Sequence, residues 1–121
     1  MKIIGVGTDI VNIKRIEKII KNDEKLFLKK VFTSKEIKII NQFKLNKASK
    51  IAMRFAAKEA LSKALGTGIG KNLSFLDFEV LNQESGKPYF LTILNKLKKM
   101  KFYLSITDDY PWAVAFVIAS K

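Results

Sequence analysis

The apolar positions change period near residue 13 and again after Gly70, and those changes divide the chain into elements. Ile3-Ile4-Gly5-Val6-Gly7-Thr8-Asp9-Ile10 reads as a first strand carrying two glycines, a residue that in strands marks close approach of another backbone or a ligand. Ile13, Ile16, Ile19 and Ile20 then recur at helical spacing, with Lys14, Arg15, Glu17, Lys18 and Lys21 on the polar side. Asn22 to Lys25 is a polar break, and Leu26 to Phe32 a short apolar-basic piece of helical character. Thr33-Ser-Lys-Glu36 has the capping-box pattern and starts a helix through Ile37, Ile40 and Phe43. Lys44 to Lys50 is a basic connector.

A longer helix follows, with Ser49 as its expected cap and Ile51, Ala52, Phe55, Ala56, Ala60, Leu61 and Leu65 at helical spacing. Ala56, Ala57, Ala60 and Ala64 are strong helix formers, small enough to let another segment come close. Gly66 stops the helix, and Thr67-Gly68 opens a loop.

Beyond Gly70 the period falls to two. Leu76, Phe78 and Val80 alternate with Asp77 and Glu79, predicting a half-buried strand with both acids on the polar face. Asn82 to Pro88 is turn chemistry, and Tyr89 to Leu91 a returning strand. Thr92 to Lys99 reads as a short helix with Ile93, Leu94 and Leu97 inward, Phe102 to Thr107 as a strand, and Asp108 to Pro111 as a turn. The continuous apolar run Trp112 to Ala119 suits a central strand. Helices early and strands late predict an α+β fold with a mainly antiparallel sheet, in one domain spanning residues 1–121.

Composition narrows the chemistry. The chain has neither cysteine nor histidine, which removes disulfides, thiolate sites and histidine-based triads and leaves oxygen donors as metal ligands. A reducing cytoplasm fits the missing cysteine. The apolar start is too short for a signal peptide, and nothing later approaches a membrane span. A net charge of +12 argues for a polyanionic partner: nucleic acid, acidic lipid, acidic protein or a phosphate-rich small molecule. Many of the lysines are simply solvated surface, so charge alone does not choose among these.

Glu59 and Lys63, four residues apart, share one face of the long helix. As an isolated pair they are a weak surface contact; with a second carboxylate they suit a hard cation and a phosphate that share charge. Asp9, where the first strand meets the first helix, reads by itself as an N-cap, and the same position suits a metal ligand.

The motifs taken in order resemble one family. Gly5-Val-Gly-Thr-Asp9-Ile-Val, Phe32-Thr33 with Glu36, Arg54-Phe-Ala-Ala-Lys-Glu-Ala with Lys63 and Gly66-Thr-Gly68, Ser85-Gly-Lys-Pro88, and Leu104-Ser-Ile ahead of Ala113-Val-Ala are similar to bacterial holo-acyl-carrier-protein synthases. These are the small type of 4′-phosphopantetheinyl transferase. The resemblance runs from about residue 3 to 119 and implies that family's fold. It also implies magnesium-dependent transfer of phosphopantetheine from coenzyme A to a serine of apo acyl carrier protein, releasing adenosine 3′,5′-bisphosphate. In its terms Asp9 and Glu59 bind the metal and Lys63 contacts the phosphate under attack. It further implies a homotrimer with active sites between protomers, and a carrier protein docked on the first helix.

The residues themselves fit that picture. With no histidine, the serine proton must go to a carboxylate or a metal-bound water, and Glu59 is the favoured base. Gly66, Thr67 and Gly68, with Gly86, Lys87 and Pro88, are expected to line the coenzyme groove, and Arg54 and Lys87 to add phosphate contacts. Arg15, Lys18 and Lys21, three residues apart, make a basic stripe beside Ile16 and Ile19 that suits an acidic carrier protein. One departure stands out. Family members commonly follow Ser-Ile-Ser with histidine, whereas this chain has Leu104-Ser-Ile-Thr107-Asp108, so that coenzyme contact does not carry over.

The alternative reading is a basic nucleic-acid-binding module. Against it, Phe75, Phe78, Phe102 and Phe116 sit in apolar surroundings and are expected in the core, not on a stacking platform.

Overall fold

A computed structural model describes all 121 residues. Strand β1 (Ile3–Asn12) passes directly into helix α1 (Ile13–Val31), followed by α2 (Ser34–Ile40) and α3 (Lys47–Leu65). The second half holds β2 (Phe78–Asn82), β3 (Pro88–Thr92), β4 (Lys101–Asp109) and β5 (Trp112–Ser120). All pairings are antiparallel: one sheet has the order β1-β5-β4, and β2 with β3 forms a separate hairpin. The apolar run at the C-terminus is thus the central strand, as its composition predicts.

Helix α3 lies across one face of the three-stranded sheet. Gly5 and Gly7 make this possible: a Cβ built on Gly5 would stand 1.7 Å from the Ala64 carbonyl oxygen, and one on Gly7 1.9 Å from that of Ala60. Any side chain there would push the helix away. Ala52, Ala56 and Ala60 on α3, and Ala113, Ala115 and Ala119 on β5, are fully buried. Small residues on both elements let the helix and sheet backbones pack closely.

Several boundaries differ from those predicted. Helix α3 starts at Lys47 behind Asn46, which is left-handed (φ 58°) and gives no side-chain cap, so Ser49 is inside the helix. Asp9 is not a cap either. It lies within β1, and Asn12 Oδ1 caps α1 by accepting from Lys14 N at 3.0 Å. Helix α1 is interrupted at Asp23 (φ −156°, ψ 86°), within the predicted polar break, and Asp23 Oδ1 accepts from Leu26 N at 3.1 Å. Leu76 belongs to a 3-10 turn, Phe75–Asp77, and is exposed, so β2 begins at Phe78. The helix expected over Thr92–Lys99 is only a 3-10 turn at Asn95–Leu97, with Leu97 buried but Ile93 exposed. The amides of Ile93 and Leu94 both donate to Asp77 O, which ties them to the start of the hairpin and leaves too little chain for a helix. Strand β4 continues to Asp109, because Asp108 and Asp109 pair with Ala113 and Trp112.

Two expectations about faces are overturned. Glu79 is buried, so β2 is covered on both sides. Phe116 is exposed and outside the core; Phe78 is fully buried, and Phe75 and Phe102 pack half-buried against the core. The outer face of the sheet is open. Val6, Ile10, Tyr103, Trp112 and Phe116 are each at least 40 % exposed.

Candidate active site

Alternation along β1 turns Gly5, Gly7 and Asp9 toward α3. The glycines bring the helix down onto the strand, and one turn of α3 then carries Glu59 and Lys63 to Asp9. Lys63 Nζ donates to Asp9 Oδ1 at 3.0 Å; the Lys63 side chain is 54 % exposed and that of Asp9 16 %. Glu59 is half-buried. Burial raises its pKa above the usual glutamate value, and the Asp9 charge adds to this, while Lys63 and Arg15 act in the opposite sense. Two carboxylates that repel one another, with a single ammonium on one of them, form an oxygen-donor site short of positive charge. That donor set fits magnesium, which takes one or two carboxylates and completes its shell with water and phosphate oxygens. No cluster of three or more acidic side chains is present, so the site is not a fully protein-built cage.

A groove of about 360 Å³ opens further back along α3, lined by Phe43, Lys50, Arg54, Asn82, Gly86 and Pro88 among others. Arg54 is buried; it donates to Asn82 Oδ1 at 2.7 Å and weakly to Lys50 O at 3.4 Å, and its Nε has no partner. Asn82 in turn donates to Gly86 O at 3.0 Å, which holds the hairpin turn against the arginine. Lys50 and Arg54 both stand over the Phe43 ring, at 5.3 and 5.5 Å from its centre. Burial lowers the Arg54 pKa, partly offset by the charge of Glu36. An anion entering this groove meets a cation with no carboxylate bonded to it.

The two glycine triplets do not meet. Gly86 and Pro88 line the groove and Lys87 is exposed at the turn, whereas Gly66, Thr67 and Gly68 form the loop at the end of α3. Gly66 is left-handed (φ 77°), and its amide donates to Lys63 O at 3.0 Å, so this loop adjoins the lysine instead. On α1, Arg15, Lys18 and Lys21 are exposed and Ile19 is half-buried. Arg15 is close enough to act on Glu59, so the basic stripe begins beside the carboxylate pair.

Residues to which the sequence reading gives no part in the site form a buried polar cluster beside Glu59 on α3. Lys58 is fully buried, and its Nζ donates to Glu36 Oε1 at 2.6 Å, Phe75 O at 2.7 Å, Val31 O at 2.9 Å and Phe78 O at 3.0 Å. Glu36 also accepts from Thr33 N at 3.0 Å and Val80 N at 2.8 Å, and the Thr33 hydroxyl donates to Glu79. Burial lowers Lys58 and raises Glu36, and each is restrained by the other's charge. A signal for Lys58 exists in the sequence. It lies seven residues from both Ile51 and Leu65, on the apolar stripe of the helix.

The profile of the 4′-phosphopantetheinyl transferase superfamily matches residues 5–115, and the chain belongs to that family. Within it, the similar proteins are holo-acyl-carrier-protein synthases. One from Pelagibacter ubique is 45% identical, the match covering 100% of this chain and 99% of the relative. The Bacillus anthracis synthase, solved in complex with CoA (3′,5′-ADP), is 39% identical with a TM-score of 0.89 over 100% of this chain and 99% of the other. That of Neisseria meningitidis is 37% identical with a TM-score of 0.90, covering 98% of this chain and 99% of the other. The Helicobacter pylori synthase, solved with coenzyme A, is 38% identical with a TM-score of 0.86, covering 95% and 99%.

Proposed function

We propose that the protein transfers 4′-phosphopantetheine from coenzyme A to a serine of apo acyl carrier protein, giving holo carrier protein and adenosine 3′,5′-bisphosphate. The observation that carries this reading is the junction of Asp9, Glu59 and Lys63, in a chain whose relatives over its whole length are holo-acyl-carrier-protein synthases. The serine oxygen attacks the phosphorus that bears pantetheine. The bond from that phosphorus to the bridging oxygen breaks, and adenosine bisphosphate leaves with that oxygen. The serine proton goes to Glu59, directly or through a water. Lys63, exposed on the last turn of α3, reaches the phosphate under attack and offsets the charge that develops there. Magnesium held by Asp9 and Glu59 would supply further neutralisation of the pyrophosphate and leaving group.

Binding is divided along α3. Arg54 and Lys50, with Gly86, Lys87 and Pro88, take the anionic nucleotide end of coenzyme A, and Gly66-Thr-Gly68 lies along the part nearer Lys63. Arg15, Lys18, Ile19 and Lys21 receive the acidic carrier protein. The open apolar face of β1, β5 and β4 supports association with another copy, and the homotrimer is the form the family resemblance implies. No helix is long and apolar enough to cross a membrane. The thiol of the product favours the reducing cytoplasm as its setting. For the nucleic-acid reading no observation speaks: the exposed aromatics Trp112 and Phe116 lie among the apolar Val6 and Ile10 on the sheet face.

Incubation with coenzyme A, magnesium and an apo acyl carrier protein tests the proposal. The carrier gains the mass of phosphopantetheine and adenosine 3′,5′-bisphosphate appears in equal amount. A carrier of unchanged mass, with all three components present, overturns it.

A further inference from the structure

We propose that Lys58 is a positioning residue: its buried ammonium fixes the rotation of α3 and so sets where the Glu59 carboxylate stands relative to Asp9. The inference rests on the role given to Glu59 above. It starts from the four acceptors of Lys58, which come from the end of α1, the first turn of α2, the 3-10 turn and the start of β2. An ammonium has three protons in a fixed tetrahedral arrangement, so these acceptors hold it in direction as well as depth. Glu36, its charge partner, is itself clasped by two amides, Thr33 N and Val80 N.

The other side of α3 is fixed by different means. At about 100° per residue, Ala60 and Ala64 lie roughly 200° and 240° around the helix from Lys58, and these are the residues whose carbonyls crowd Gly7 and Gly5. Glu59 and Lys63, at about 100° and 140°, project between the two fixed faces. Side-chain tips stand about 5–6 Å from a helix axis, so a turn of about 10° carries the Glu59 carboxylate ~1 Å. Displacements of that size are costly in a reacting site. Stability alone does not explain the arrangement, because buried ion pairs are commonly replaced by apolar side chains at little or no loss. An apolar pair fills the space but lets the helix turn.

Two variants test this, each read by thermal melting, magnesium titration calorimetry and a crystal structure. Lys58→Met with Glu36→Leu removes the charge pair together. Lys58→Arg keeps the charge balance, but its planar fork cannot sit on the same four acceptors. Either variant, once folded, binds magnesium about 10- to 100-fold more weakly than the parent, with the Glu59 carboxylate displaced by ~1 Å from its place beside Asp9. Leu61→Ala, a cavity in the same helix, is the control: it lowers the melting temperature and leaves magnesium affinity near that of the parent. Folded variants with parental affinity and an unmoved Glu59 overturn the positioning role. So does a Leu61→Ala protein that loses magnesium affinity to the same degree. A parent that binds no magnesium overturns the metal reading of the site instead, and the position of Glu59 in the variant crystals still decides the role of Lys58.

Discussion

Lys63 Nζ lies 3.0 Å from Asp9 Oδ1, so the ammonium expected at the phosphate occupies an oxygen that a metal ion needs. The two cations compete for one carboxylate. Lys63→Met removes a competitor and should tighten magnesium binding about two- to fivefold, the worth of a partly exposed ion pair. The same change should lower turnover by about 10²–10³, with a smaller effect on coenzyme binding. Lys63→Arg should rescue only part of the loss, since a planar fork does not replace a point charge. Magnesium titration beside steady-state kinetics checks both halves; weaker magnesium binding by Lys63→Met would contradict the competition.

Asp9→Ala and Glu59→Ala should each leave a folded protein with too few carboxylates for a hard cation. Transfer should fall by at least about 10²-fold, and calorimetry should detect no magnesium binding. Near-normal turnover of either variant at limiting magnesium would remove that residue from the metal site.

The raised pKa of Glu59 makes a prediction about stability. The folded chain holds the Glu59 proton more tightly than the unfolded chain does. Without divalent cations, the contribution of this residue is therefore favourable on the acid side. It is lost as pH rises from the ordinary glutamate value through the raised one. Glu59→Gln removes that loss, so at neutral pH in chelator it should melt above the parent. Added magnesium should stabilise the parent and not the variant. A variant that melts below the parent in chelator would contradict the burial cost, and the added Asp9 repulsion, of a charged Glu59.

Gly7→Ala places a Cβ 1.9 Å from the Ala60 carbonyl oxygen, and backbone atoms on both sides cannot give way independently. The helix must lift from β1, at a cost of about 1–3 kcal/mol or more. Denaturant unfolding should record that loss. Weakened magnesium binding should accompany it, because Glu59 and Lys63 move away with the helix.

Reversing charge at Arg15 and Lys18, both exposed on the first two turns of α1, separates docking from plain surface. Arg15→Glu with Lys18→Glu should raise KM for the carrier protein about tenfold or more, flatten its salt dependence and leave KM for coenzyme A unchanged. Equal effects on both substrates would return this stripe to ordinary solvated surface.

The parts of the site legible in the sequence are those that local rules govern. Strand alternation places Gly5, Gly7 and Asp9 on one face, helical spacing does the same for Glu59 and Lys63, and glycine against alanine predicts the close approach. The capping role of Glu36 and the place of Lys58 on the apolar stripe are legible, but the buried pairing of Lys58 with Glu36 and the burial of Glu79 are not. A charged residue reads as solvated unless its partners are known, and these partners come from four separate elements joined only by the fold. Phe116 was misread for a related reason. Its apolar neighbours imply a covered position, but apolar character does not say whether the same chain or another copy provides the cover. The helix expected over Thr92–Lys99 failed because Asp77, far back in the sequence, captures two of its amides.

The break in α1 at Asp23 has a mechanical consequence. Its non-helical backbone interrupts the ladder of helical hydrogen bonds, and its carboxylate takes up the Leu26 amide at the start of the second half. The element is thus two short dipoles in series instead of one long one. The first half presents Arg15, Lys18 and Lys21 to whatever arrives from solution, and the second delivers the Val31 carbonyl to Lys58. Asp23 is thus the joint between the part of the element that faces solution and the part that supplies an acceptor to the buried ammonium.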